Sequence, residues 1–355
     1  MYTTKDYIRR GLKFANNSLL PGHKKLSTIM LYSTDRCNLK CRHCYIWAKK
    51  PKQDLGLDKI REIINSPVVS KHTLIGLEGG EFVLHPEVED ILSYLSIHHP
   101  YFELLTNGRD ADTVIKYTKE YKPVRLYISM DGTRETIESM RRTDIYDNII
   151  KIIENLKDEL HLSVMFTLTP FNTFGDLIHV ADVCKKYNID MRIGIYNTME
   201  YFDTQSKTDS TDTLNFKPGD IPDIVKKFSE NYDFMYLFTK FREGNLKLPC
   251  RSITDSIVVY PNGDIPICQF KEIILGNLYK ESLHHIINKK ETIKKHKEHL
   301  HGCNACWVNF HRKYDIVLHR NLEKFMPKSM IQWFLGKYHW TENKKIKYSK
   351  LFKEE

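Results

Sequence analysis

The chain has 355 residues and a formal net charge of +9, with 41% hydrophobic and 12% aromatic residues. This hydrophobic fraction suffices for a sizeable core and excludes a wholly disordered chain, and the length predicts two domains, or one large domain with an appendage, at about 150 residues per domain. No stretch approaches the roughly 18 apolar residues of a membrane span, and the charged start has no apolar core after it, as a secretory signal would. We therefore expect a cytoplasmic protein.

Strand-like and helix-like segments alternate along the first half of the chain. Apolar, β-branched runs occur at residues 26–34, 73–78, 101–106, 124–130, 162–169 and 190–196. Segments with helical spacing lie between them, at residues 57–64, 86–95, 110–121, 145–156 and 174–187. The alternation predicts an α/β fold with a parallel sheet, and the nearly continuous apolar runs predict strands buried on both faces. Six strands are too few for a closed eight-stranded barrel, so we expect a partial barrel or a doubly wound sheet.

Polar and glycine-rich segments follow the predicted strands. The first strand precedes DRCNLKCRHCY, and the next four precede EGGE, NGRD, DGT and PFN. Ligands of parallel α/β folds bind at the carboxyl ends of the strands, so these segments are expected to converge on one rim.

The pattern changes after residue 197. Residues 201–217 are polar and without a period, which predicts a linker or mobile loop, and residues 218–232 predict a helix. The segments SIVVY and IPIC are joined by PNGD, and this predicts a β-hairpin because Asn-Gly is a strong two-residue turn. Residues 283–299 predict a charged helix.

Seven of the eight cysteines fall into two spaced groups. A cytoplasmic chain of this size needs no disulfides, and its compartment keeps thiols reduced, so the spacing indicates metal binding. The first group, Cys37, Cys41 and Cys44, has the spacing C-x3-C-x2-C after the first predicted strand. Three cysteines without a local fourth ligand suit a cubane iron–sulfur cluster with one open iron better than a four-ligand zinc site. His43 as a zinc ligand would be strained beside Cys44.

The first group resembles the defining motif of the radical S-adenosylmethionine (radical SAM) enzymes. Gly79, Gly80 and Glu81 resemble the GGE motif of this family, which binds the amino group of the SAM methionine, although Phe82 stands where a proline is usual. Over residues 26–197 the resemblance implies a partial (β/α)6 TIM-like barrel. It also implies SAM contacts from the motif and from positions at the strand ends, namely His43, Asn107, Ser129 (to the ribose), Thr167 and Ile195. The alternative is a structural metal loop beside an ordinary glycine turn.

The second group consists of Cys250, Cys268, Cys303 and Cys306. Four thiolates can close around a zinc ion or a cubane cluster, and the spacing alone does not choose. The pattern C-x12-G-x4-C, LGNL and C-x2-C resembles the C-terminal auxiliary-cluster extension of radical SAM enzymes, called SPASM in its longer form and twitch in its shorter form. Because no cysteine follows Cys306, the resemblance implies one auxiliary [4Fe-4S] cluster with four cysteine ligands.

These assignments divide the chain into four parts: an N-terminal extension (1–25), a radical SAM partial barrel (26–215), a twitch/SPASM-like iron–sulfur domain (216–310) and a basic aromatic tail (311–355). The resemblance implies that SAM is reductively cleaved to a 5′-deoxyadenosyl radical, which abstracts a hydrogen atom from the substrate. A flavodoxin- or ferredoxin-type reductant would supply the electron.

The substrate is predicted from weaker features. Only 25 residues precede the first predicted strand, which disfavours an N-terminal peptide-recognition domain. We therefore expect oxidation or epimerisation of a carbohydrate-like small molecule, with Arg192, Glu200 and Asp203 as candidate contacts. The alternatives are a maturase of a ribosomally synthesised peptide and a non-catalytic metal-binding module on the same fold.

Two further features of the sequence are Cys184, the one cysteine outside the two groups, and the C-terminal tail. Cys184 lies on a predicted barrel helix and is expected to be a buried, inert thiol, with a hydrogen-atom donor as the alternative. The tail holds eleven Lys and Arg against five Asp and Glu, so the body is not uniformly basic and no nucleic acid partner is expected. Residues 330–340 predict a helix that packs Trp333, Phe334 and Trp340 on the body, or else a peripheral contact with an anionic membrane surface.

Overall fold

The computed structural model describes residues 4–197, 199, 201–202, 222, 235, 238, 246–247, 250, 252–271, 273–303, 306–307, 310, 326–335 and 339–340. Strands in these ranges are β1 (Thr28–Thr34), β2 (Leu74–Gly79), β3 (Phe102–Thr106), β4 (Arg125–Ser129), β5 (His161–Leu168), β6 (Asp190–Ile195), β7 (Leu246–Lys247), β8 (Ser256–Val259), β9 (Asp264–Pro266), β10 (Ile274–Asn277) and β11 (His339–Trp340). Helices are α1 (Thr4–Leu19), α2 (Leu57–Ile64), α3 (Val88–His98), α4 (Ala111–Tyr121), α5 (Arg134–Arg141), α6 (Tyr146–Leu156), α7 (Phe174–Tyr187), α8 (Leu283–Asn288), α9 (Lys290–Gly302) and α10 (Lys328–Leu335).

A seven-stranded parallel sheet organises the fold, in the order β6-β5-β4-β3-β2-β1-β8. It curls into a half-barrel, which confirms the predicted α/β partial barrel. The six strands and five helices predicted for the first half of the chain are present. Helices α1 and α5 were not expected. Since every strand runs in the same direction, the loops that follow β1 to β6 meet at one edge, as the sequence predicted.

The two faces of the sheet differ sharply in exposure. Positions that face the helices are fully buried, for example Leu104 on β3, Leu126 on β4 and Phe166 on β5. Their neighbours on the opposite face, such as Leu105 and Tyr127, keep accessible surface. The expectation of strands buried on both faces therefore holds for β1, whose seven residues are all buried, whereas β4 and β5 keep accessible surface at some concave positions. The curl of the sheet makes this second face concave.

The predicted hairpin between SIVVY and IPIC forms only at its turn, where the Tyr260 N–H donates to the Asp264 carbonyl at 2.9 Å, and its two strands pair elsewhere. Strand β8, which lies in SIVVY, runs parallel to β1 with Thr28 opposite Ser256 and Leu31 opposite Val259. Strand β9 pairs instead with β10 in an antiparallel ladder. The PNGD segment still turns, since Gly263 has a φ of +80° and donates its N–H to the Tyr260 carbonyl at 2.9 Å. The apolar strand completes the free edge of β1, where its residues are buried.

The predicted helix at residues 283–299 is two helices, because Lys289 adopts an extended conformation between α8 and α9. Of the predicted loop at residues 201–217, Tyr201 and Phe202 are described, and Tyr201 is buried. The remainder of that loop and, apart from residue 222, the predicted helix at 218–232 lie outside the described residues.

Two further predictions concern single side chains. Cys184 is fully buried on α7, as expected of an inert thiol. In the tail, Ile331 anchors α10 with 1% exposure, but Trp333 is 79% exposed, so the expectation that Trp333 packs on the body is wrong. None of the helices described is long and apolar enough to cross a bilayer.

An Ile193→Ala substitution tests the core assignment. Ile193 is fully buried on the helix-facing side of β6, so removing its side chain leaves a cavity, and we expect a loss of about 2–5 kcal/mol in the free energy of unfolding. The matched control is Ile178→Ala, at a 40% exposed position of α7, with an expected change within about 0.5 kcal/mol. Urea unfolding followed by fluorescence measures both, and equal losses would contradict the assignment.

Candidate active site

The loop that carries Cys37, Cys41 and Cys44 is closed on itself by Lys52. The Lys52 ammonium donates to the Asp35 carbonyl at 2.9 Å, before the cysteines, and to the Ile46 and Trp47 carbonyls at 2.9 and 3.0 Å, after them. All three donors of the ammonium are thereby used. The loop leaves β1 and returns to its start, which is what three ligands of one compact cluster require.

The glycine pair of the GGE segment fits against the cysteine loop. Gly79 has a φ of +132°, which disfavours any side chain. At Gly80 an added Cβ would lie 2.0 Å from the Arg36 carbonyl oxygen and 3.1 Å from the Cys37 Cβ. The Gly80 N–H donates to the Thr34 carbonyl at 2.8 Å, and the following N–H, of Glu81, donates to the Arg36 carbonyl at 2.8 Å. The second strand therefore sets the position of the first cysteine.

The three thiols of this loop are electrostatically alike. Burial raises the pKa of all three thiols, and the pKa of Cys41 reaches about 12. The neighbouring thiols add to the rise at Cys41 and Cys44. Thiols in such surroundings ionise readily only against a strong positive charge, which iron supplies. Three converging soft donors in a shielded loop fit a [4Fe-4S] cluster.

A buried ion pair lies beside these thiols. Arg141 on α5 contacts Asp131, which follows β4, with Nη2 to Oδ2 at 2.6 Å and exposures of 5% and 2%. The Arg141 guanidinium acts to lower the pKa of all three thiols. Burial lowers the pKa of nearby His43, whose Nδ1 has no hydrogen-bond partner among the described residues. Sequence reasoning noted only the DGT segment that contains Asp131 and missed the role of the arginine.

Of the predicted SAM contacts, the GGE segment and Asn107 lie together beside the first cysteine. Glu81 is 2% exposed, and its carboxyl accepts from the Thr106 hydroxyl at 2.9 Å and the Asn107 N–H at 2.7 Å. Burial raises the pKa of Glu81 to about 7. The Asn107 amide lies 3.8 Å from the Cys37 Sγ. Ser129 and Thr167 lie on the concave face. Ile195 lies on the helix-facing side of β6, like the buried Ile193 two residues before it, so its side chain points away from the concave face.

The concave face of the sheet carries charged side chains that sequence reasoning missed, apart from Arg192. Arg192 donates to Asp190 at 2.8 Å, and Arg125 donates to the Tyr127 hydroxyl at 2.6 Å. The signal was present as strict alternation of polar and apolar residues in RLYIS on β4 and DMRIGI on β6. The other proposed contacts, Glu200 and Asp203, lie outside the described residues. The members of this polar lining are Glu78, Glu103, Arg125, Tyr127, Asp190 and Arg192.

A stack of tyrosines connects the two cysteine groups. The rings of Tyr32 and Tyr201 are 4.8 Å apart, and those of Tyr201 and Tyr260 are 4.2 Å apart. The stack belongs to an apolar cluster against which Cys37 and Cys44 pack. Its other side reaches the second group, because the amide of Gln269 donates to the Tyr32 hydroxyl at 2.5 Å. Gln269 directly follows a predicted ligand, Cys268.

The cysteines of the second group also approach one another. Burial raises the pKa of Cys268 to about 11, and the thiols of Cys250 and Cys303 add to the rise. Cys306 is 6% exposed. No three potential ligands among the described residues come within reach of a single metal ion. A four-iron cube separates its thiolates more widely than one ion with zinc–sulfur bonds of about 2.3 Å does.

Comparison with known proteins identifies both regions. Residues 31–184 match the Radical SAM superfamily, and residues 250–307 match SPASM, an iron-sulfur cluster-binding domain. The subtilosin biosynthesis protein AlbA of Bacillus subtilis is 24% identical over 314 residues, which is 81% of this chain and 66% of AlbA. The mycofactocin maturase MftC of Mycobacterium tuberculosis is 26% identical over 167 residues, 45% of this chain and 42% of MftC. The Fe-coproporphyrin III synthase of Methanosarcina barkeri is 26% identical over 196 residues, 54% of this chain and 49% of the synthase.

Thus the chain spans between two-fifths and two-thirds of the length of these curated relatives. Among solved structures, Streptococcus suis SuiB bound to S-adenosylmethionine has a TM-score of 0.61 at 13% identity, over 83% of this chain and 74% of SuiB. SuiB bound to the precursor peptide SuiA also has a TM-score of 0.61, at 14% identity over 83% of this chain and 72% of SuiB. These structures share the fold. The chain therefore carries a radical SAM domain and a SPASM domain, and the cofactors that these two domains imply are SAM, a [4Fe-4S] cluster and auxiliary iron–sulfur clusters.

Proposed function

We propose that this protein is a radical SAM maturase that modifies a ribosomally synthesised peptide. The observation that carries the proposal is the alignment with AlbA, a bacteriocin biosynthesis protein, over 81% of this chain. MftC, named a maturase, and SuiB, solved with a precursor peptide, support the same substrate class. This similarity favours the peptide alternative over the carbohydrate-like substrate expected from the sequence. The length of the segment before the first strand was a poor guide, because it says nothing about the chemistry of the cavity.

The described residues at the site of Cys37, Cys41 and Cys44 have separate roles. Cys37, Cys41 and Cys44 would hold the [4Fe-4S] cluster, which with SAM supplies the one-electron cleavage that yields a 5′-deoxyadenosyl radical. Glu81 presents a carboxyl whose two oxygens are fixed by Thr106 and the Asn107 N–H, so it is oriented to accept from the amino group of SAM.

Other side chains exclude water and fix the substrate. The tyrosine stack seals the side of the loop that carries Cys37 and Cys44, which protects a reactive alkyl radical from solvent. Ser129 and Thr167 present hydroxyls on the concave face, where SAM and substrate would meet. Arg192 and Tyr127 line the same face and orient polar groups of the substrate.

The second site is proposed to hold one auxiliary [4Fe-4S] cluster on Cys250, Cys268, Cys303 and Cys306. The Lys271 N–H donates to the Cys268 Sγ at 3.3 Å and acts to lower the pKa of this thiol, against the larger effect of burial. The Gln269–Tyr32 hydrogen bond joins this site to the wall of the first.

Product analysis tests the function. The full chain is reconstituted anaerobically and given SAM, dithionite and perdeuterated candidate precursor peptides. We expect 5′-deoxyadenosine that carries deuterium and a peptide of altered mass. Deuterium transfer from a perdeuterated nucleotide sugar, with none from any peptide, would overturn the peptide assignment. A chain that binds iron but forms no 5′-deoxyadenosine would support the non-catalytic module instead.

A Gly80→Ala substitution tests the fit between the GGE segment and the cysteine loop. The new Cβ would lie 2.0 Å from a backbone oxygen, so the loop must move and the first cluster should be lost. We expect about four fewer iron atoms per chain and no 5′-deoxyadenosine. The control is Gly11→Ala on α1, where nothing lies within 4 Å of the new atom. Full iron content in the Gly80 variant would refute this packing role.

A Cys250→Ala, Cys268→Ala double variant tests the second site. We expect iron content to fall by about four atoms per chain, while the electron paramagnetic resonance signal of the remaining reduced cluster still changes when SAM is added. The Cys184→Ala variant serves as the control and should keep all of its iron, since Cys184 is buried on α7. Unchanged iron together with lost zinc in the double variant would make this a zinc site.

A further inference from the structure

Glu78 occupies a distinctive place in the concave face. It lies on β2, directly before the glycine pair, and is the ladder partner of Tyr32 on β1. On β3, the other neighbour of β2, Glu103 is the ladder partner of Gly76. Because Gly76 precedes Glu78 by two residues, Glu103 lies on the same face as Glu78 but further from the carboxyl ends of the strands. Glu78 as a whole residue keeps some accessible surface although protein surrounds it. That surface therefore faces the interior of the half-barrel.

The Glu78 carboxyl has no counter-charge in the part of the chain that the structure describes. No hydrogen bond or ion pair of this carboxyl is present there, and the charged group that acts on it is Glu103, of the same sign. Burial, followed by this repulsion, raises the pKa of Glu78 to about 8. The other titratable group facing it is the hydroxyl of Tyr32, whose pKa Glu78 in turn raises.

The remaining charges of the cavity balance without Glu78. Arg192 is paired with Asp190 at 2.8 Å. Arg125 interacts with Glu103, which acts to raise the pKa of the arginine. Among the described residues of the lining, two arginines are thus matched by two carboxylates, His161 also lies 3.8 Å from Asp190, and Glu78 is the surplus acid. A cavity of this composition is complementary to one additional positive charge.

This surplus acid lies close to the first cysteine site. Its ladder partner Tyr32 belongs to the apolar cluster against which Cys37 and Cys44 pack, and the charge of Cys44 acts on the Tyr32 hydroxyl. A group held by Glu78 would therefore lie beside the place where the radical forms. Glu81, three residues later, already has its two oxygens engaged by Thr106 and Asn107.

We propose that Glu78 binds a cationic group of the substrate, the ammonium or guanidinium of a lysine or arginine side chain, and so selects the peptide residue that enters the half-barrel. The inference rests on the proposed peptide-modifying function. A charge-assisted hydrogen bond in a shielded cavity is stronger than a neutral one, and it removes the cost of an unpaired buried acid. Because the free carboxyl is largely protonated at pH 7, binding of the cation drives its ionisation and releases one proton to solvent.

Calorimetric titration of the reconstituted full chain with SAM present tests this. The probes are acetyl-Gly-Gly-Lys-Gly-Gly-amide and the same peptide with norleucine in place of lysine, which keeps the four-carbon side chain and lacks the ammonium group. We expect the lysine probe to bind at least about tenfold more tightly at pH 7 and to release a proton, seen as different heats in buffers of different ionisation enthalpy. Glu78→Gln should abolish the preference and the proton release. The control Glu62→Gln, at an exposed position, should retain both.

Three results would overturn the proposal. Equal affinity of the two probes for the unaltered protein is one, and it needs no variant. The second is a lysine probe that shows no binding at millimolar concentration. The third is a dissociation constant for SAM that rises about tenfold in Glu78→Gln, since SAM would then be the cation held there. Failure of the proposed function looks different: the lysine probe still binds, but no peptide is modified.

Discussion

The contact between the Gly79–Gly80 backbone and the cysteine loop is the constraint on which the site depends. Two N–H groups of the GGE segment donate to carbonyls of the loop, and no space for a Cβ exists at Gly80. A parallel pairing of β1 and β2 brings these two segments side by side, so the register of one strand pair fixes the position of Cys37. Lys52 then closes the loop from the other side, and the thiols stay together although burial disfavours their ionisation.

The half-barrel uses its two faces for different purposes. The helix-facing side is a continuous apolar core, and it supplies the stability of the sheet. The concave side holds buried charges that cost desolvation free energy, offset by pairs such as Arg192 with Asp190. A fold that maximised stability would fill this face with apolar side chains. Its charged lining therefore indicates a site for a polar ligand. The carboxyl of Glu78, which has no counter-charge among the described residues, favours a positively charged group on that ligand.

The tyrosine stack makes the two iron–sulfur regions one structure. Tyr201 packs against both Tyr32 and Tyr260, whose rings are themselves 6.0 Å apart, and its hydroxyl donates to Asp35 at 2.7 Å, at the start of the cysteine loop. Tyr260 follows β8, the strand that the SPASM region adds to the half-barrel. The wall of the cavity is thus built from segments far apart in sequence, and Gln269 extends it to the neighbour of Cys268.

The sequence by itself determined the six strands and five of the seven α-helices of the first half, the two cysteine groups and the GGE segment, because periodicity, turn residues and ligand spacing are local properties. Only the tertiary structure decided that β8 joins β1, that Arg141 reaches the thiols from α5, and that Ile195 points away from the cavity. It also separated the polar lining from the apolar core, since alternation along a strand identifies two faces but not which face is covered. Ladder partners and the curl of a sheet arise from contacts between residues distant in the chain, and no local pattern encodes them.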